Sequence, residues 1–187
     1  KVTLNALGAL RLNIAKQQNL IDQSQWAPVW IVDFPLVEYN KDLNRWDALH
    51  HPFTSPNFKD IDLLKTDPGM VRSLGYDIVM NGYELGGGSI RIHDSKLQSE
   101  IFKLLGIESD EAKEKFGFLM NAFQYGAPPH GGMAFGFDRI IMLLAGSNQI
   151  RDVIAFPKTT SAISLMDNSP SLVDEIQLNE LGLKLKK

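Results

Sequence analysis

Apolar residues at Leu4, Leu7, Leu10, Ile14 and Ala15 fall near helical spacing, so residues 2–20 predict an amphipathic helix. Residues 29–39 (VWIVDFPLVEY) are apolar and rich in β-formers. Pro35 lacks an amide hydrogen and marks an edge strand or an interruption there. A turn at 40–44 and a returning strand at 45–50 follow, then a polar loop over 51–68 that carries Pro52, Pro56 and Pro68. Two more strands, 76–83 and 85–92, lie around a glycine-rich break, and helices are predicted over 94–105 and 109–124. Ser109, Asp110 and Glu111 suit the amino end of the second helix. The rest reads as a short strand at 131–135, a buried helix at 137–145 and a last strand at 150–156. A polar tail ends in the amphipathic LVDEIQLNELGLKLK. Strands joined by turns, with helices inserted in blocks, predict an α+β fold whose mostly antiparallel sheet is flanked by helices.

With 187 residues, 44% of them hydrophobic and 22% charged, the chain can build one domain with its own core. A net charge of −3 argues against a dedicated nucleic-acid surface, because neutralising phosphates needs clustered Lys and Arg. The absence of cysteine excludes disulfides and thiolate metal sites and fits a reducing compartment. No apolar run is long enough to cross a membrane, and the first ten residues lack a signal peptide's order. They also lack an initiator Met, which leads us to expect a natural chain that begins earlier.

Chemistry concentrates first in Gly132-Met133-Ala134-Phe135-Gly136-Phe137-Asp138-Arg139. Large and tiny residues alternate, so one strand face would be nearly bare backbone, against which a flat ligand can lie. The following helix would bury Ile140, Ile141 and Leu144 and present Arg139 in its first turn. A cation there is unfavourable by roughly a few tenths of a kcal/mol, which a polyphosphate would offset. From the residues alone a plain packing joint with an ion-paired Arg139 serves equally well. The segment resembles motif 3 of class II aminoacyl-tRNA synthetases, with Ala134 in place of one glycine. The resemblance implies that Arg139 meets the ATP γ-phosphate and packs over the adenine, with Gly136, Phe137 and Asp138 lining the same pocket.

In Tyr76–His93, Asp77 and Glu84 flank an apolar strand, three glycines follow at 86–88, and Arg91 comes after them. Magnesium takes one or two carboxylates plus phosphate oxygens and waters. Seven residues apart, Asp77 and Glu84 would face opposite ways on a regular strand, so convergence needs a bulge, which is expected at Asn81-Gly82. A solvated pair of acids and a surface Arg91 are the competing readings. The glycines are not a P-loop, since no Gly-Lys-Ser/Thr follows. NGYELGGGSIRIH is similar to the aspartyl-tRNA synthetase segment between motifs 2 and 3. That likeness implies that Glu84 meets ATP and Mg2+, that Asp77 assists the metal, and that Arg91 pairs with the side-chain carboxylate of L-aspartate. With Arg139, Glu84 would form the catalytic set.

Two histidines follow Arg45-Trp46 in the stretch HHPFTSP, with no other His or Cys at zinc-ligand spacing. A structural hydrogen bonder is one reading of each. The stretch resembles bacterial-type aspartyl-tRNA synthetases, which implies that His50 approaches the substrate aspartate, while His51 is taken as structural. Trp26, Trp30 and Trp46 are read as core.

The resemblance covers nearly the whole chain, best from Val29 to Thr160, and implies the carboxy-terminal part of a catalytic domain. Residues 1–20 would be the exit of an inserted domain or a connecting helix, and 21–187 the catalytic part with motif 3. Nothing resembling motif 1, motif 2 or an OB-type anticodon module is found, so the isolated chain is expected to be inactive. The expected full-length enzyme is a cytoplasmic homodimer that joins L-aspartate, ATP and tRNA-Asp, with no membrane partner. Two alternatives stay open: a related synthetase for asparagine or lysine, or a synthetase-like asparagine synthetase; and a non-catalytic binding module.

Overall fold

Pro35 divides the β-rich stretch into two strands that join different sheets. In a computed structural model, which describes residues 2–22 and 24–186, β1 is Pro28–Ile31 and β2 is Val37–Asn40. Between them Pro35 makes only an isolated bridge to Arg72. β2 pairs antiparallel with β3 (Arg45–Ala48) to form a separate hairpin. β4 (Gly75–Met80), β5 (Tyr83–Ile90) and β6 (Gly131–Phe135) complete a four-stranded antiparallel sheet with β1, in the order β1-β4-β5-β6.

The turn between β4 and β5 lies at Asn81-Gly82, not at the glycine run. Both residues have positive φ, 51° and 86°, and Met80 pairs with Tyr83 across a two-residue hairpin. Gly86, Gly87 and Gly88 instead sit inside β5, where close approach of the β6 backbone requires glycine at 86 and 88 and the Asp77 side chain crowds 87. A Cβ on Gly88 would lie 2.9 Å from Gly132 C and 2.9 Å from Met133 Cα, and one on Gly86 would lie 2.5 Å from Ala134 O.

The helices are α1 (Val2–Gln17), α2 (Ser95–Leu104), α3 (Ser109–Gln124), α4 (Phe137–Leu144) and α5 (Glu175–Glu180). Asp94 caps α2 by accepting from the Leu97 amide at 2.8 Å, and Gly106, at φ 74°, follows its carboxyl end. α2 buries Gln98, Ile101 and Phe102. Ile101 joins Leu36, Val37, Leu64, Val71, Ile92 and Leu105 in the core, and Trp46 packs at its margin. Phe102 meets Phe53 edge-on at 5.6 Å and stacks on Phe116 of α3 at 5.2 Å. These rings tie the loop around Phe53 to both helices.

Two compact units emerge, Lys1–Gly136 and Phe137–Lys187. In the second, α4 buries Met142 rather than Leu144, which is exposed. Ile150–Val153 forms a 3-10 turn in place of the expected last strand. The polar stretch 51–68 also contains 3-10 structure, at Phe58–Lys65 and Pro68–Met70. Trp26 and Trp30 are exposed rather than core, although Trp30 packs edge-on against Tyr76. No described helix is long and apolar enough to cross a membrane.

Candidate active site

Strand pairing decides which side chains share a face. Val29 pairs with Val79 and Ile31 with Asp77; Asp77 pairs with Gly87, and Gly87 with Ala134. Directly paired residues of an antiparallel sheet point the same way, so these positions form one face. Ser89, paired with Gly75 and Gly132, belongs to it too. Gly75, Gly87, Ser89, Gly132 and Ala134 floor this face with almost nothing but backbone, as the alternation in 132–137 led us to expect. Asp77 lies over Gly87: a Cβ there would overlap Asp77 Oδ1 and come within 3.1 Å of its Cγ.

Glu84 reaches the same face through an irregularity elsewhere than expected. Ile78 pairs with Gly86 but Val79 pairs with Glu84, so Leu85 is the extra residue of a bulge in β5. That single insertion flips the phase of the strand. Glu84 consequently stands with Val79 and Asp77 rather than opposite them. Burial, with a smaller contribution from the negative charge of Glu84, holds the Asp77 carboxyl above its ordinary range, partly opposed by His50. All three groups therefore share one electrostatic neighbourhood. His50 is fixed edge-on to Phe34 at 4.4 Å, and a Cβ on Gly75 would lie 3.3 Å from its Cδ2.

Arg91 extends the ladder one step beyond β5, its amide donating to His130 O at 2.9 Å. Parity with Gly87 and Ser89 puts it on the Asp77 face. Its Nη1 is buried and has no hydrogen-bond partner among the described residues. A buried guanidinium nitrogen left unpaired costs free energy unless an anion comes to it. Next to it, Thr54 and Ser89 are both 2% exposed, with their hydroxyls 3.2 Å apart.

In the second unit, Phe137, Asp138 and Arg139 occupy the first turn of α4 and are exposed. Gly136 belongs to the first unit, where its amide donates to Leu85 O at 2.7 Å beside the bulge. No set of three or more His, Cys, Asp or Glu among the described residues is arranged to hold a metal unaided. Asp77 with Glu84 is a two-carboxylate set, which suits Mg2+ that keeps phosphate and water oxygens.

Two further polar residues lie near the site. His51 lies within the electrostatic reach of Arg91. Gln98 is fully buried, its Nε2 donating to Pro52 O at 2.9 Å, and its Oε1 has no partner. A signal for Gln98 was present: it precedes Ile101 and Phe102 by three and four residues, on the apolar stripe of α2.

The family model for tRNA synthetases class II (D, K and N) matches residues 8–160. An aspartate–tRNA ligase of Clostridium tetani is 56% identical over 188 residues, covering 100% of this chain and 32% of that protein. An aspartate–tRNA(Asp/Asn) ligase of Caldanaerobacter subterraneus subsp. tengcongensis is 58% identical over 185 residues, 99% of this chain and 31% of that protein. An aspartyl tRNA synthetase from Entamoeba histolytica superposes with a TM-score of 0.55 over 81% of this chain and 25% of that one; at 24% identity this is a likeness of fold. The chain thus spans about a third of the length of the curated relatives it matches. The chain belongs to the class II tRNA synthetase family that comprises the D, K and N enzymes.

Proposed function

We propose that this chain supplies part of the active site of an aspartate–tRNA ligase, which activates L-aspartate with ATP and transfers it to tRNA. The observation that carries the reading is the bulge at Leu85, which sets Asp77 and Glu84 on one face together with Arg91, whose Nη1 is buried and unpartnered. Arg91 binds the side-chain carboxylate of the amino acid. An amide in its place leaves the guanidinium poorly matched, which favours aspartate over asparagine. His50 lies close to the same end of the face and adds donor capacity.

Asp77 and Glu84 would hold Mg2+, which supplies charge neutralisation to the ATP phosphates; the raised proton affinity of Asp77 is what a cation between the two carboxylates would relieve. Arg139 binds the γ-phosphate, and Gly136, Phe137 and Asp138 line the adenine pocket. The aspartate α-carboxylate attacks the α-phosphorus and pyrophosphate leaves; a hydroxyl of the terminal adenosine of tRNA then takes the acyl group of the resulting aspartyl-adenylate, and AMP leaves. No side chain serves as a nucleophile. The chain's residues act by positioning and by neutralising charge. Homodimeric assembly in the cytoplasm and residues 1–20 as a connection to an inserted domain belong to the same proposal. So does inactivity of this segment alone.

Aspartate-dependent ATP–pyrophosphate exchange by the full-length protein tests the reading. Exchange driven by L-aspartate and not by asparagine or lysine supports it. Exchange driven by either of the others, or none at all in the presence of Mg2+, overturns it.

A further inference from the structure

The strand opposite Arg91 brings another histidine to the same face. Ile90 pairs with Gly131, and one step further along the ladder the Arg91 amide donates to His130 O at 2.9 Å. His130 is thus directly opposite Arg91, so the two side chains leave the same side of the sheet with Cβ atoms roughly 5 Å apart. Its own loop orients the ring. Nδ1 lies 2.9 Å from Pro128 O, a carbonyl that can only accept, so Nδ1 carries a proton and Nε2 is the ring's second hydrogen-bonding atom. That arrangement serves a neutral and a cationic ring alike. Pro128 and Pro129 restrict the loop backbone, and Phe123 of α3 lies with its ring centroid 6.5 Å from that of His130. The residue is exposed, and so open to an incoming ligand. A carboxylate has two oxygens to satisfy, and Arg91 Nη1, buried and unpartnered, meets only part of that demand.

We propose that His130 is a second binding residue for the side-chain carboxylate of aspartate, reaching it from the strand opposite Arg91. The bound carboxylate accepts from Arg91 Nη1 and from Nε2–H of a cationic His130 ring, whose extra proton comes from solvent as the ligand binds. This role rests on the aspartate reading above. Without substrate a cation directly opposite Arg91 is disfavoured, and the negative charge of the ligand removes that penalty. An amide in its place brings no negative charge and draws no proton, so the pair adds to the selection of aspartate over asparagine. The other charged and titratable groups at this end are Arg91, His93 two residues along its chain, and His50 and His51 on the loop whose Thr54 bridges Arg91. From α3 the ring meets the uncharged Phe123.

The test is aspartate binding and aspartate-dependent pyrophosphate exchange by the full-length protein, comparing wild type, His130→Gln and His130→Leu. Gln keeps a neutral donor at similar reach; Leu removes it. His130→Leu is expected to raise the KM for aspartate about 10- to 100-fold, the loss of one charge-assisted hydrogen bond, with the KM for ATP within about twofold. His130→Gln is expected to recover part of that loss. Calorimetry at one pH in two buffers of different ionisation enthalpy should show net proton uptake when aspartate binds the wild type, and that uptake should disappear in His130→Gln. An aspartate KM within about twofold of wild type for His130→Leu, or unchanged proton uptake in His130→Gln, overturns the proposal. So does a joint rise in the aspartate and ATP KM with a lowered Tm, which marks a merely structural role. If the wild type shows no aspartate-dependent exchange, the underlying reading fails and the proposal falls with it. That outcome is distinct from an active wild type with an indifferent His130→Leu.

Discussion

Alanine at Gly87 and alanine at Gly88 are the same chemical change one residue apart, and they should fail in opposite ways. At Gly87 the added methyl would overlap Asp77 Oδ1 and lie 3.1 Å from Asp77 Cγ and 3.3 Å from Tyr76 O. The main obstacle is the end of a flexible side chain, so the backbone can stay and the carboxylate retreats by about 1 Å to ordinary contact distance. Stability should change by less than about 1 kcal/mol, since loss of glycine's unfolded-state freedom offsets part of the crowding. A catalytic group displaced by about 1 Å can cost about 100-fold in rate, or close to 3 kcal/mol of transition-state stabilisation. At Gly88 the methyl instead meets backbone, with Gly132 C and Met133 Cα each 2.9 Å away, so β5 and β6 must separate. That overpacking should cost about 1–3 kcal/mol. Thermal unfolding and exchange kinetics titrated with Mg2+ separate the two variants. Gly87→Ala should keep its Tm and need about tenfold more Mg2+ at a much lower rate, whereas Gly88→Ala should lose Tm first. Wild-type Mg2+ dependence in Gly87→Ala, or equal destabilisation of both, would refute the placement of Asp77.

Arg91→Leu should raise the aspartate KM by about 100-fold, the loss of a charged hydrogen-bonding partner, with little change in the KM for ATP. Asp77 carries a stability cost whose sign is testable. Burial and Glu84 raise its pKa in the folded protein, so its contribution is complete below the ordinary carboxylate range and is lost as pH rises through the raised value. Asp77→Asn should therefore raise the Tm at pH 7, with the gain shrinking toward about pH 4, while abolishing Mg2+-dependent exchange. Phe102→Ala, which empties the stack against Phe53 and Phe116, should lower stability by about 3–5 kcal/mol in denaturant unfolding.

The helices were legible because their signals are local: Asp94 as a cap, Gly106 as a stop, and an apolar stripe through Ile101 and Phe102. The bare face of β6 was legible for the same reason, since alternation has a period of two. Less accessible was anything set by pairing with a distant strand. Three glycines suggest a break, yet here Gly86 and Gly88 serve close packing of β5 on β6, Gly87 leaves room for the Asp77 side chain, and the positive-φ pair Asn81-Gly82 makes the turn. The need for a bulge between Asp77 and Glu84 followed from parity, but its position at Leu85 depends on the register with β4. Ile150–Phe156 has a strand's composition and no partner strand among the described residues, so a 3-10 turn forms at its start.

A crystal structure of the full-length protein with Mg2+ and a non-hydrolysable aspartyl-adenylate analogue tests the account most directly. It should show the aspartate side-chain carboxylate within about 3 Å of Arg91 Nη1, with Asp77 and Glu84 turned toward the metal and phosphate. An aspartate carboxylate bound away from Arg91, with Nη1 still buried and unpartnered, would contradict it.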